Sequence, residues 1–558
     1  MPHFPLLRVA CSVVFFVGGS IGRAQSLPVA PKSHAEGADH VRQDPAAWVP
    51  ANTLILVDML DGSASLKALL RSLGPWPQEA SAKLRRLPDL IQLGVGSTTG
   101  MALDDLLEAV APAEACFALV AGEEPYPVWV SRLTQEVDED DVLDVFDRLR
   151  GKAVTDLSDG FVTVTTKPAH LREVLEVRRG KRPMLLSRKG FETGRSAFEP
   201  GGGIRIWADP KALYGISNNQ GTTPWAMADG GTRFLFGPLM QTYSAATRLD
   251  GVLRFTADGL AFDVRIDASI MDAQHPARLL LTTAERQLLP VPETALGVLS
   301  IDRTFTGLFD NLEKLMSEDD AVGAKSFLST FDQLVGQGSF LDDILRKVTE
   351  PLTLMVIARD EEETGWLEMP GIWLPSFVLV AKLDDTRAQG MLERAAGVFA
   401  FIINNERAMQ RKGPFRLRIT RVDGFKLMVA RPPDWRGEGK PPLDHALSPT
   451  LLFTDGHVIL SSTIDGAVAV ARGLGSASGR AVSGDYIELD GEEVAAYIDK
   501  NIGALTLNKV FEEGLSEAEA DEQFANFALF SRVIKQLTIR IRPGKGETSI
   551  SIRAVRLR

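Results

Sequence analysis

The chain carries one pattern of apolar strand and amphipathic helix twice. Residues 50–58 begin with a proline, run through an apolar strand and end in an aspartate, and residues 292–302 repeat that pattern. A helical pattern follows in both places. Repetition on this scale constrains the fold strongly, because each copy must bury an apolar face of its own. A duplicated scaffold that lacks a cluster of reactive side chains favours binding or structural work over catalysis.

Later elements recur in the same order. The matched segments are 65–73 with 305–316, 103–107 with 341–345, 115–120 with 352–357, 127–130 with 375–380, and 159–165 with 455–461. The offset between the copies grows from 242 to 296 residues along this series. We therefore expect an insertion in the second copy between Phe399 and Leu451, with a hairpin around Asp423 and Gly424.

Both copies end in strands whose apolar and polar residues alternate, as at Leu537, Ile539 and Ile541. Alternation with a period of two indicates one buried and one solvated face. The sequence thus predicts an α+β fold of two related halves, each a mainly antiparallel sheet covered by helices on one face. The expected organisation is a signal peptide at 1–24, a flexible tether at 25–47, a first repeat at 48–273, a linker at 274–289, and a second repeat at 290–558 with an insertion near 400–450.

The N-terminal segment is typical of an export signal. Arg8 closes a short basic region, residues 9–17 are almost entirely apolar, and Gly22 and Ala24 are small residues at the positions that a signal peptidase inspects. We expect cleavage before Gln25 and a periplasmic or cell-envelope location. The alternative is that the segment is retained as a membrane anchor.

Charge and cysteine content restrict the function further. The formal charge is −12, and cleavage before Gln25 removes Arg8 and Arg23 but no acid, which leaves −14. Because no cluster of lysine and arginine with interleaved aromatics is expected to offset this charge, the sequence argues against nucleic-acid binding. Cys116 is the one cysteine of the mature chain, and its apolar neighbours predict a buried, inert thiol.

The opening strand at 50–57 and the motif at 103–107 resemble those of an uncharacterised family of exported bacterial proteins, known only as a domain of unknown function. The resemblance extends over most of residues 48–558. It implies an envelope location and brings no catalytic residues with it.

No motif predicts catalysis, a metal site or a cofactor. The acid pairs at 104–105 and 342–343 and the acidic run 138–141 stand where helices are expected to start, which favours capping over metal binding. Gly94, Gly96 and Gly100 lack the spacing of a dinucleotide loop, and the histidines lack the spacing of a zinc site. A hydrolase whose site residues are dispersed along the sequence remains the enzymatic alternative.

Two regions predict contact with a partner. The helix expected at 391–409 has an apolar surface wider than one buried stripe, and two loops at 215–236 and 361–375 carry tryptophans. The candidate contact residues are Phe399, Ile402, Ile403, Met409, Trp225, Trp366 and Trp373. The leading hypothesis is a non-catalytic envelope protein that binds an unknown protein or apolar ligand, with peripheral membrane association as a further mode. The alternative binding function is a periplasmic lipid or lipoprotein carrier with an apolar cavity.

Overall fold

The computed structural model divides the chain into two compact units, residues 1–226 with 242–270, and residues 227–241 with 271–558. The residues that it describes are 44–59, 61–72, 111, 113–134, 154–188, 191, 203–213, 246–256, 259–267, 286–287, 291–301, 303, 305–315, 318–335, 338–359, 373–433, 443–474, 481–482, 484–543 and 547–556. The predicted α+β class is confirmed, since helices accompany an antiparallel sheet in each unit.

The first unit is built on eight described strands. They are β1 (Thr53–Met59), β2 (Ala115–Val120), β3 (Tyr126–Arg132), β4 (Val154–Ser158), β5 (Phe161–Thr165), β6 (Ile204–Ala208), β7 (Leu249–Thr256) and β8 (Gly259–Asp267). Antiparallel pairing gives the order β4-β5-β3-β2-β1-β6-β7-β8. The helices among the described residues of this unit are α1 (Gly62–Ser72) and α2 (Pro168–Arg178). Every residue of the central strand β1 is buried, which fits its nearly continuous apolar sequence.

The core of the first unit begins earlier in the chain than the sequence indicated. Residues 45–47, expected to belong to the flexible tether, form a buried 3-10 turn, Pro45–Trp48, capped by the Asp44 carboxylate. The Trp48 ring lies 4.4 Å from the Phe161 ring, and the Arg178 guanidinium lies 4.2 Å above the Trp48 ring. The tether was predicted from charge and proline content, and this composition does not reveal a tryptophan that packs against a distant strand.

The second unit is larger. Its strands are β9 (Arg286–Gln287), β10 (Ala295–Ile301), β11 (Thr349–Ile357), β12 (Ser376–Lys382), β13 (Arg416–Val422), β14 (Phe425–Arg431), β15 (Thr450–Thr454), β16 (His457–Ser461), β17 (Ala481–Val482), β18 (Asp485–Asp490), β19 (Ile534–Pro543) and β20 (Glu547–Arg556). Its helices are α3 (Phe305–Asp310), α4 (Leu312–Leu315), α5 (Glu318–Val335), α6 (Phe340–Asp343), α7 (Thr386–Met409), α8 (Ile464–Leu474), α9 (Gly491–Glu513) and α10 (Glu517–Val533).

Antiparallel pairing in the second unit gives the order β13-β14-β15-β16-β12-β11-β10-β18-β19-β20, while β9 pairs with β17. From β15 to β20 this order repeats the order of the first unit strand for strand. The additional hairpin, β13 and β14, extends the sheet at one edge. It falls in the segment where the sequence predicts an insertion.

Local irregularities also recur at matching positions. The β1–β2 register shifts between Thr53 and Ile55, and the β10–β11 register shifts between Ala295 and Gly297. The amide of Thr53 donates to the Pro50 carbonyl, as the amide of Ala295 does to the Pro292 carbonyl. Bulges are individual features of a fold, so their recurrence makes the correspondence more specific than strand order alone.

The expectation that helices cover only one face of each sheet is wrong for the second unit. On β12, Val378 and Val380 pack with α8, in a core cluster that includes Ala467 and Val468. The next residue in register, Ala381, faces the other way and packs with Ala388 of α7. Strands β10 to β12 are apolar at both alternating positions, so both faces require a covering layer.

Candidate functional site

The first half of α7 is an ordinary buried helix. The Asp385 carboxylate caps it by accepting hydrogen bonds from the amides of Arg387 and Ala388, at 2.9 and 3.0 Å. These hydrogen bonds lower the pKa of Asp385 from its ordinary value of 3.8. The charges of Lys347 and Arg387 lower it further, and partial burial acts in the opposite direction. Beyond the cap, Ala388, Met391 and Ala395 are buried against the sheet and against α5 and α6.

The second half of α7 carries the same apolar stripe without a cover. A helix of 24 residues is about 36 Å long, and only its first part lies over the sheet. The candidate residues continue the face begun by Met391 and Ala395, and they are exposed by 40% at Phe399, 42% at Ile402, 43% at Ile403 and 76% at Met409. Phe401, on another side of the helix, is 71% exposed. Of these side chains Phe399 contacts a core ring, with its centroid 4.6 Å from that of Phe331.

The extra hairpin is attached to this end of α7. The Asn404 side chain donates to the Phe415 carbonyl at 2.8 Å and accepts from the Phe415 amide at 2.6 Å. The Arg407 Nε donates to the Gly413 carbonyl at 2.7 Å, and its guanidinium lies over the Phe415 ring. These contacts hold β13 beside the helix, with Leu417 and Ile419 both exposed.

A basic segment follows the apolar residues of α7 along the chain, where no cluster of lysine and arginine was expected. Pairing with β14 places Leu417, Ile419 and Arg421 on the sheet face of α7, and Arg416 and Arg418 on the face of α8. Residues 407–422 contain six basic residues and no acidic residue. Five of them are exposed, namely Arg411, Lys412, Arg416, Arg418 and Arg421. Within the described part of the chain none of these five forms an ion pair. A running count of charge would have found the cluster, which the overall charge of −12 conceals. We call the exposed residues of α7 and β13, together with these five cations, the α7–β13 surface.

The sheet of the second unit has a further uncovered apolar region. Cross-strand pairing aligns Leu354, Leu379 and Leu460 in one row on the face that α7 partly covers. Phe377 and Leu489 lie one row further from the helix. All five are exposed by 36–47%, whereas Leu451 in the same row as Leu460 is buried next to α7. We call these five residues the open sheet face.

Of the three tryptophans expected to contact a partner, the structure describes Trp373. Trp373 packs within its own unit, because its amide donates to the Asn501 side chain at 2.7 Å and the Lys500 ammonium lies 3.8 Å from its ring. Asn501 also donates to the Trp373 carbonyl, so this loop segment is fixed to α9. Trp225 and Trp366 lie outside the described residues.

Other candidates occupy structural positions. Asp343 accepts a hydrogen bond from the Ser339 amide at 2.9 Å, and Asp342 pairs with Arg346, as expected of acids at a helix start. Asp104 and Asp105 lie outside the described residues. Cys116 is completely buried in β2. In the described segments no group of three His, Cys, Asp or Glu side chains is arranged to hold a metal ion. No helix among the described elements is both long and apolar enough to cross a bilayer.

Comparison with known proteins adds little to this geometry. No protein-family model matches the chain. No curated protein matches it either. A solved structure titled "Structure of crystal form III of TP0453" aligns with 44% of this chain and 88% of its own, at 9% sequence identity and a TM-score of 0.22. That likeness is too weak to support an inference about fold or function.

Proposed function

We propose that this chain is a non-catalytic, exported envelope protein that binds a partner through the α7–β13 surface. The observation that carries the proposal is the continuation of one helical stripe from a buried half to an uncovered half of α7. A soluble surface rarely exposes contiguous large apolar side chains without a use for them, because each costs free energy in water. Met409, Phe401 and Ile419 are exposed by 61–76%.

The matching strand orders support a scaffold that arose by duplication. Each unit repeats the same eight-strand order, and the β13–β14 hairpin is the described addition to it. Copies of one fold diverge most easily at loops and edges, where insertions leave the core intact. The hairpin contributes both apolar and basic residues to the proposed surface, so the added element extends the surface that α7 begins.

Export is the second part of the proposal. It is supported by the basic segment, apolar run and small residues before Gln25. Mass spectrometry of the protein recovered from the cell envelope of its source tests whether the segment before Gln25 has been removed. We expect a mature chain that begins at Gln25, and recovery of the uncleaved chain would support the anchor alternative instead.

Site-specific photocrosslinking tests the binding surface. A photoreactive phenylalanine analogue is placed at Phe401 or Met409, and in matched controls at Arg172 of α2 or at Arg179 directly after it, both exposed in the first unit. Irradiation in the source cell is expected to give a crosslinked product, with a protein or with lipid, at 401 and 409 and none at the controls. Absence of an adduct at 401 and 409, or equal labelling at the controls, would contradict the proposal.

The open sheet face favours a second candidate, a carrier of lipid or lipoprotein acyl chains. Leu354, Leu379 and Leu460 present a continuous apolar row beside α7, of a kind that an acyl chain can occupy. Mass spectrometry of the protein purified from its source under non-denaturing conditions tests this candidate. A stoichiometric lipid that is lost in L379D supports the carrier, and lipid-free protein contradicts it.

A further inference from the structure

We infer that the partner of the α7–β13 surface is the anionic headgroup surface of a membrane. This inference rests on the proposed function, since it names the occupant of the same surface. The structure brings together two features that such a surface requires: large apolar side chains that project into solvent, and a group of exposed cations on the adjoining helix end and edge strand.

The apolar part has the character of an interfacial segment. Ile402, Ile403 and Met409 lie along one side of the uncovered half of α7, Phe401 projects from another side, and Ile419 adds a side chain from β13. Side chains of this kind enter the boundary between headgroups and acyl chains to a depth of about 5–10 Å. The element need not cross the bilayer to do so, which agrees with the length and composition of α7.

The charges fit an anionic surface and not a neutral one. In a chain of net charge −12, residues 406–422 contribute six positive charges and one negative charge, that of the exposed Glu406 on α7. Lysine and arginine near an anionic bilayer contribute roughly 1 kcal/mol each, which corresponds to about fivefold in partitioning. The next acid towards the C-terminus, Asp423, forms an ion pair with Arg472 and so does not offset the cluster.

The other anionic macromolecules fit less well. A nucleic acid would use aromatic rings for stacking and cations for phosphates, and it has no use for exposed Ile402, Ile403 and Met409. An acidic protein would have to cover both α7 and the edge strand β13. A partner chain covers an edge strand most readily by pairing with its backbone, and the arginines at 416, 418 and 421 hinder such pairing.

Vesicle sedimentation tests the inference with the full mature chain. The probes are vesicles of phosphatidylcholine alone and of phosphatidylcholine mixed with phosphatidylglycerol. The variant R416E/R418E/R421E is compared with R172E/R179E/K181E, which makes the same change of charge at exposed positions of the first unit. A second comparison sets F401D against V322D, since Val322 is exposed on α5, outside the surface. Circular dichroism verifies that each variant is folded.

We expect the wild type to bind the mixed vesicles and not the neutral ones, with binding that weakens as salt increases. The 416/418/421 variant should bind about 100-fold more weakly, and F401D should also lose binding, while both controls remain near wild type. Absence of wild-type binding, equal binding to neutral vesicles, or equal loss in the controls would overturn the inference. A discrete protein adduct at residue 401 without vesicle binding would overturn it as well and leave the proposed function intact.

Discussion

The guanidinium of Arg303 forms a bidentate ion pair with the carboxylate of Asp485, with N–O distances of 2.8 and 2.7 Å. The Arg303 side chain is 1% exposed and that of Asp485 is 11% exposed. The pair joins the chain just beyond β10 to the first residue of β18, two strands that are neighbours in the sheet. Loss of one partner from such a pair leaves a charge without compensation in a buried site.

We therefore predict that R303M lowers the free energy of unfolding by about 3–5 kcal/mol, measured by urea denaturation. The double variant R303M/D485L should be about as stable as the wild type, because neither charge then remains. An exposed pair serves as control: R346M, which breaks the pairs with Asp310 and Asp342, should cost about 1 kcal/mol or less. Equal losses in R303M and R346M would show that burial of the first pair has no energetic consequence.

The two halves of α7 should respond differently to truncation. Met391 is 1% exposed, so M391A leaves a cavity and should cost about 2–5 kcal/mol. Phe401 is 71% exposed, so F401S should change stability by no more than about 0.5 kcal/mol. Thermal or urea unfolding of both variants provides the measurement. A large loss of stability in F401S would mean that this side chain is part of the core and not available to a partner.

Two glycines of α9 give a matched pair of substitutions. A methyl group at Gly491 would collide with the carbonyl oxygens of Ser531 and Ile534, whereas one at Gly503 would meet no atom within 4 Å. We expect G491A to destabilise the protein by about 1–3 kcal/mol and G503A to stabilise it by about 0.5–1 kcal/mol. Opposite shifts in the urea midpoint would agree with this packing of the helix. Shifts of the same sign would contradict it.

Alkaline pH should weaken the fold in part through Tyr486. Burial and the hydrogen bond from its hydroxyl to the Glu488 carboxylate raise the pKa of Tyr486 to about 12 from 10.0. Because the folded state holds this proton more tightly than the unfolded chain does, the stability it contributes is complete below pH 10 and is lost as pH rises towards 12. Y486F should therefore lose less stability than the wild type over that interval in urea unfolding. Parallel losses would show that Tyr486 ionises normally in the folded protein.

Local chemistry made part of this fold predictable from sequence. The Asp–Gly pairs at 159–160, 423–424 and 455–456 mark hairpin turns, and both residues of each pair take positive φ values. The burial of Cys116 followed from its apolar neighbours. The expectation that strand order recurs rested on alternation and turn residues, which survive when individual side chains change.

The limits of that prediction have physical causes. An apolar helical stripe has the same sequence pattern whether or not another element covers it, so the point at which α7 leaves its core could not be located. Trp373 was expected to contact a partner. Its actual contact is with Asn501, 128 positions further along the chain, and a contact at that separation leaves no local pattern in the sequence. The basic cluster of 407–422 was visible in the sequence, but net charge averages over the whole chain and conceals it.

Hydrogen exchange of the mature protein, alone and with vesicles of phosphatidylcholine and phosphatidylglycerol, tests the central claim most directly. If the α7–β13 surface is the binding surface, amides in 399–422 should exchange more slowly in the presence of the anionic vesicles, while those of α2 should be unchanged. Unchanged exchange in 399–422, or protection confined to other segments, would contradict the account.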